Sequence, residues 1–276
     1  MKRYFPIFAL PTLAAFTLGF LIPFIMGVYL SFCKFTTVTD AKWIGFGNYV
    51  KAVQDRVFHH AFWYTAAFTA VTVIMINVLA FYVALLLTKK MRGTNLFRTV
   101  FFMPNLIGGI ILGYIWQILL NGILLQYGKT LTYSSKYGFV GLVILMCWQQ
   151  IGYMMVIYIA GIQNIPGELL EAARIDGAGK RQLLMNVTIP LVMPSITICT
   201  FLTLTNSFKL FDQNLALTNG EPSSMSEMMA LNIYNTFYGR SGWEGVGQAK
   251  AVIFFLLVVG IAFFQNRITR RKEVQQ

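Results

Sequence analysis

Six stretches of this chain, roughly 7–32, 65–88, 99–120, 139–163, 195–217 and 246–266, are long and apolar enough to cross a lipid bilayer as helices. A spanning helix takes about 20 mostly apolar residues, because the hydrocarbon core is about 30 Å thick. Composition agrees: 57% of the 276 residues are hydrophobic and only 12% are charged, against about 25% charged in soluble domains. The expected fold class is all-α, a polytopic membrane protein of six transmembrane helices. The sixth stretch has the shortest uninterrupted apolar run, 251–264, and Lys250 at its edge would have to snorkel to the interface.

Six spans put both termini on one membrane face, and basic residues decide which face. With the N-terminus inside, the inner segments hold Lys2, Arg3, Lys89, Lys90, Arg92, Arg98, Arg174, Lys180, Arg181, Arg267, Arg270, Arg271 and Lys272. These are 13 of the 22 basic residues, in the shorter share of the loops. Both termini are therefore expected in the cytoplasm. The first apolar run is too long for a signal-peptide core, and no small-x-small site follows it in SFCKFTTVTD, so it is expected to remain as a span. The net charge of +12 belongs to these flanks. No separate basic domain exists to hold a polyanion, so nucleic acid is not an expected partner.

Cys33, Cys147 and Cys199 are odd in number and lack CxxC spacing, which argues for small buried hydrophobes over a disulfide framework or a zinc site. His59 and His60 are sequence neighbours and point different ways on a helix. No metal site and no catalytic residue is expected. The outer loops, about 33–64, 121–138 and 218–245, are too short for a folded domain. In the last of them TNGEPSS is a turn signal. MSEMMALNIYNTFY after it has the apolar content of an interfacial helix.

The inner loop 164–194 departs from the rest of the chain. Residues 168–182, ELLEAARIDGAGKRQ, carry six charges. Pro166 reads as a helix start with acidic residues in the first turns, and ELLEAARI consists of good helix formers. Gly177 and Gly179 break it. KRQLLMNV predicts a second short helix that Pro190 and Pro194 end before the fifth span. Leu169, Leu170 and Ala173 can share a face, Ala172 and Ala173 keep the surface flat, and Glu171, Arg174 and Asp176 surround it with charge. A charged loop of this size is ordinarily a solvated connector, yet this one is shaped to dock in a groove of another protein. It is not a phosphate-binding loop. Lys180 is followed by Arg181, without a hydroxyl for magnesium, and Arg174 stands where the first glycine would be.

The segment EAARIDGAGKRQLLMNVTIPLVMP resembles the cytoplasmic signature of ABC-importer permeases: Glu-Ala-Ala, three residues, Gly, nine residues, Ile, one residue, Leu-Pro. Glu171, Ala172, Ala173, Gly177 and Pro190 match, while Val187 and Ile189 replace two aliphatic positions. IGFGNYVKAVQD, RGTNLFRTVFFMPNLIGGIILGYIWQ and FKLFDQNLALTNGEPSSMSEMMALNIYNTFY extend the resemblance over almost the whole chain, to the first permease of the carbohydrate branch. Gly220-Glu221-Pro222 stands where that branch commonly has Gly-Gly-Pro.

The resemblance implies a type I ABC importer permease fold in a bacterial or archaeal cytoplasmic membrane. It implies a heterodimer with a second permease, an ATPase dimer below, and an extracellular or periplasmic solute-binding protein that delivers sugar. It places ATP and magnesium on the ATPase and no cofactor on this chain. The ATPase-docking residues become Glu171, Ala172, Ala173, Asp176, Gly177 and Pro190. By domains, 1–64 is the first span with its outer loop, 65–266 the permease core, and 267–276 a basic cytoplasmic tail.

Polar residues inside spans are costly and mark candidate substrate paths. In the fifth stretch Thr203, Ser207 and Asn214 follow helical spacing, with Asn206 beside them near the midpoint. Neutral hydroxyls and amides suit a sugar. Gln149, Gln150 and Tyr153 form a second polar group in the fourth span, and Trp116 of the third stretch and Trp148 of the fourth offer rings for stacking. Lys209 and Asp212 are spaced to pair. A glycerol-phosphate-type solute would want more cations near mid-span. An ion-driven secondary transporter would usually have more spans or membrane carboxylates, and an intramembrane enzyme would need His or paired acids within a span.

Overall fold

The computed structural model describes residues 5–89 and 92–270. Lys2, Arg3, Lys90, Arg271 and Lys272 of the basic flanks lie outside the described residues, as does most of the expected tail. The first helix, α1 (Phe5–Phe16), passes through a π-helical turn, Thr17–Leu21, into α2 (Ile22–Leu30). A short antiparallel ribbon, β1 (Cys33–Lys34) with β2 (Lys42–Trp43), pairs Cys33 with Trp43. Then come α3 (Gly47–Gln54), α4 (Arg56–Leu87), α5 (Thr94–Phe102), α6 (Gly109–Leu124), α7 (Ser135–Gln163) and α8 (Gly167–Ile175). They are followed by α9 (Lys180–Gln182), α10 (Ile189–Leu191), α11 (Met193–Phe208), α12 (Asp212–Leu217), α13 (Met229–Gly239) and α14 (Glu244–Arg270).

Five helical segments are long and apolar enough to cross a bilayer singly: Ala9–Leu30, Arg56–Leu87, Gly109–Tyr127, Ser135–Gln163 and Glu244–Gln265. Lys180–Leu191 and Met193–Phe208 together make a sixth, bent by 69°. The all-α, six-span architecture thus holds, with three differences of detail. The second span begins at Arg56, because Asp55 caps it by accepting from the Val57 N–H at 2.9 Å. Its first turns carry Arg56 and two histidines, which mask the apolar pattern. The stretch expected as 99–120 is two helices. Pro104 supplies no N–H, and Ile107 and Gly108 are extended, so the chain turns between α5 and α6. The stretch expected as 195–217 is also two helices, broken at residues 209–211, with Asp212 opening α12 where an acid favours a helix start.

By its contacts the chain falls into two compact units, one running to His59 with Asn232–Leu256, the other formed by His60–Leu231 with Leu257 onward. In the second, α7 is the axis. Its Leu142, Leu145, Met146, Met154, Met155 and Tyr158 are buried, packed in one core with Phe68, Ile76, Ala80 and Ala84 of α4 and Cys199 of α11. In a bilayer the lipid is as apolar as leucine, so close packing and interhelical hydrogen bonds hold such a core. Tyr158 donates to Asn77 Oδ1 at 2.7 Å, and Asn77 Nδ2 donates to Thr203 Oγ1 at 3.3 Å. Thr72 Oγ1 donates to Ser207 Oγ at 2.9 Å. Bonds of this kind contribute about 0.6–2 kcal/mol each. Gly109 and Gly113, one helical turn apart on α6, let α12 approach; a Cβ at Gly113 would lie 2.5 Å from that of Ala216. All three cysteines are free and buried.

Burial corrects two expectations. Lys250 does not snorkel. It is fully buried, and its ammonium donates to Asp55 Oδ2 at 2.8 Å, Asn232 Oδ1 at 2.9 Å and Thr236 Oγ1 at 2.8 Å. The stretch read as an interfacial helix is buried along one side, at Met228, Met229, Leu231, Asn232 and Thr236, and exposed at Tyr234 and Tyr238. Its apolar residues serve a protein core, which composition alone does not distinguish from a membrane surface.

Candidate functional site

The inner loop folds as a helix, a glycine turn and a bent helix. In α8, Pro166 stands just before the first turn, where a missing N–H costs nothing, and Glu168 sits in that turn. The helix ends in a Schellman turn: the Gly177 N–H bonds to the Arg174 carbonyl at 3.1 Å and the Ala178 N–H to the Ala173 carbonyl at 2.9 Å. Gly177 has φ +83°, a conformation that glycine adopts without strain. Gln182 reaches back to the Gly179 N–H at 2.8 Å and starts the next helical segment. From Lys180 to Leu191 the chain stays helical through a π segment, Leu183–Thr188. Pro190 and Pro194 do not end helices as expected. Each lies in the first turn of a helix, and the 69° bend falls between them.

Of α8, Leu170 packs against the core, while Glu168, Leu169, Glu171, Ala172, Arg174, Ile175 and Asp176 are exposed. Leu169 therefore leaves the face it was expected to share with Leu170 and Ala173. Ile175 is 86% exposed, an unusual position for an isoleucine. Among the described residues none of the four charged side chains of α8 and its cap forms a hydrogen bond or ion pair with the rest of the chain. This surface is capped in backbone, and its charged side chains are uncommitted among the described residues.

A second feature is a cavity of about 490 Å³ lined by Asn105, Met146, Gln149, Gln150, Asn206, Lys209, Leu210, Phe211, Asp212 and Gln213. The break between α11 and α12 forms one wall and the turn before α6 another. Gln149 is held in place: its Nε2 donates to the Ile107 carbonyl at 3.4 Å and its Oε1 accepts from Gln213 Nε2 at 2.8 Å. Gln150 is buried, and its Oε1 has no partner among the described residues. Lys209 and Asp212 line the same cavity but form no ion pair among the described residues.

The sequence candidates divide. Gln149 and Asn206 line the cavity. Thr203 and Ser207 are buried against α4, bonded to Asn77 and Thr72. Asn214 lies on a different helix from them, so the expected single stripe is interrupted. Its amide fastens the following loop, donating to Thr218 Oγ1 at 3.0 Å and the Ser226 carbonyl at 2.8 Å and accepting from the Met228 N–H at 2.9 Å. Tyr153 packs beside Phe102, with ring centres 6.4 Å apart. Trp116 and Trp148 meet each other edge to face at 5.5 Å. Lys209, Asp212 and Gln213 were not singled out as site residues. The signal for them was the charged pair itself, in a stretch otherwise apolar.

Residues 77–274 match the family described as binding-protein-dependent transport system inner membrane component. The chain is 42% identical over 278 residues to the probable starch degradation products transport system permease protein of Thermoanaerobacterium thermosulfurigenes, covering 98% of this chain and 94% of that one. It is 28% identical over 265 residues to the multiple sugar-binding transport system permease protein of Streptococcus mutans, covering 92% and 91%. Its fold resembles a chain of a bacterial ABC transporter involved in import of the acidic polysaccharide alginate, at TM-score 0.82 and 20% identity, over 98% of this chain and 96% of that one. With most of its length inside the family match and a relative above the 40% level over nearly the full chain, the protein belongs to the binding-protein-dependent transport system inner membrane component family.

Proposed function

We propose that this chain is one of two permease subunits of an ATP-driven importer of a sugar or oligosaccharide. The observation that carries the reading is α8. It is a capped helix on the 164–194 loop whose charged face binds nothing else among the described residues. Such a helix suits a cleft on an ATPase, with Glu171 as the main polar contact, Ala172 and Ala173 allowing close approach, and Gly177 fixing the turn. Pro190 and the bend beyond it link that contact to α11, which borders the cavity. ATP and magnesium belong to the ATPase. The loop 164–194 faces the cytoplasm, both termini lie on that side, and a binding protein delivers the solute from the other. The membrane is the cytoplasmic membrane of a prokaryotic cell.

The names of the relatives support a sugar, and so does the cavity. Five side-chain amides, those of Asn105, Gln149, Gln150, Asn206 and Gln213, line it. Amides both donate to and accept from hydroxyls. Lys209 would favour an anionic solute, as the glycerol-phosphate alternative requires, but Asp212 on the same wall offsets its charge.

Uptake of labelled oligosaccharides into proteoliposomes holding the complex and its binding protein tests this. Asn206→Ala should lower uptake about three- to tenfold, the worth of one hydrogen bond, while leaving the complex assembled. Unchanged uptake in both Asn206→Ala and Gln149→Ala would remove the cavity from the path.

A further inference from the structure

The outward face of the segment from Trp43 to Val53 has no partner among the described residues and a definite chemistry. On α3, Asn48 and Ala52 turn inward. Asn48 Nδ2 donates to the carbonyls of Ser31 at 2.9 Å and Cys33 at 2.8 Å, which fixes α3 against the end of the first span. Tyr49 and Ser31 share a hydroxyl hydrogen bond of 2.6 Å that adds to the clamp. With that side held, the opposite side carries Phe46, Val50 and Val53 at spacings of four and three, 70%, 52% and 55% exposed. Beside this apolar stripe stand Lys51 and Gln54, both exposed. The helix therefore has three faces: one clamped, one apolar and bare, one polar and bare.

The apolar face does not stop at α3. Phe46 meets Phe32 edge to face at 5.3 Å, Phe32 stacks on Trp43 at 5.2 Å, and Trp43 meets Tyr29 at 5.7 Å. Trp43 is 60% and Tyr29 52% exposed. Tyr29 belongs to the span Ala9–Leu30, whose apolar window is nowhere buried in the chain. The bare apolar surface along the span thus continues through the aromatic group onto α3. Tyrosine and tryptophan prefer the level where chains meet headgroups. Amphipathic helices with a bare apolar face settle in the same layer.

We propose that residues 43–53 form an interfacial anchor, with Trp43, Phe46, Val50 and Val53 bedded at the boundary between lipid headgroups and acyl chains and Lys51 and Gln54 turned to water. The occupant of this face is the bilayer. The inference is independent of the solute and of the ATPase contact.

The test uses the full chain with its co-purifying subunits in nanodiscs. The lipids carry bromine either near the carbonyl end or at the far end of the acyl chain. Emission lost in wild type but not in Trp43→Phe belongs to Trp43. That component should be quenched by bromine near the carbonyl end, more weakly by bromine at the chain end, and little by aqueous iodide. Should Trp43→Phe not assemble, Phe46→Cys carrying a polarity-sensitive fluorophore gives the same reading. Quenching by iodide alone would put the segment in water. Protection from all three quenchers would mean that protein covers it. Either result overturns the anchor.

Discussion

The Lys250 ammonium lies 2.8 Å from the Asp55 carboxylate, with no solvent exposure on the lysine side and almost none on the aspartate. Asn232 and Thr236 take its other donors, and the ring of Phe58 lies 5.1 Å from it. Three ammonium protons thus meet three acceptors, which is what a buried charge requires. Removing Asp55 strands the buried ammonium, at a cost of about 3–5 kcal/mol, and removing Lys250 leaves Asp55 only the longer, part-exposed contact with Arg240 at 3.3 Å. Lys250→Met should therefore lower the thermal midpoint sharply and reduce recovered protein. Asp55→Asn with Lys250→Met should recover much of the loss, because no buried charge remains unpaired and Arg240, the other partner of Asp55, is exposed enough to be solvated. Thermal unfolding in detergent of the two singles and the double compares them.

The same pair sets an acid limit. Burial pushes the Asp55 carboxyl up, but the hydrogen bond and charge of Lys250, the Val57 N–H and the Arg240 charge outweigh it and hold the group below its ordinary value. A carboxylate depressed in the folded state stabilises fully above its unfolded value of about 3.9, and the contribution is lost as pH falls through the lower folded value. The stability gap between wild type and Asp55→Asn should be constant near neutrality and close below about pH 4. Thermal midpoints measured across that range check the sign; a gap that opened on acidification would reverse it.

Asn214 and Asn206 should fail in different ways. Asn214 is buried and holds Ser226 and Met228. Asn214→Ala strands those backbone groups at about 1–3 kcal/mol each, so it should reduce stability while any surviving protein keeps its solute preference. Asn206 makes no such bonds among the described residues, and Asn206→Ala should alter uptake with stability near that of wild type. Thermal melts paired with uptake assays separate the two.

Close packing of α6 on α12 makes a sharp steric prediction. Gly113 faces Ala216 at a distance that excludes a larger side chain, whereas nothing lies within 4 Å of a Cβ at Gly122 on the same helix. Gly113→Leu should cost about 1–3 kcal/mol through forced displacement, and Gly122→Leu should be close to neutral. Melting curves of the two variants read the difference directly.

Much of this fold was legible in the sequence for one physical reason: a span must be apolar over its full length, so hydropathy marks it. The breaks were less legible. Pro104 with Gly108 and Gly109 signalled the turn ahead of α6, but the apolar residues around it hid the signal. At 209–211 no proline or glycine marks the break, and it follows from how α12 packs on α6. The stripe of Thr203, Ser207 and Asn214 is real in sequence spacing, yet spacing cannot distinguish a side chain facing a cavity from one bonded to the next helix. Lys250 illustrates the same limit. Its partner Asp55 is 195 positions away, and only the folded chain brings them together. The turn at Gly177 was legible because it is local, requiring a glycine and the carbonyls just before it.

The most direct test of the account is to isolate this chain from native membranes in mild detergent and identify what accompanies it, in wild type and in Glu171→Lys. The account predicts a second six-span permease and an ATPase with the wild type, and for Glu171→Lys the same permease pair with the ATPase lost. A chain that purifies alone, or a Glu171→Lys complex that retains its ATPase in full, would contradict the role given to α8.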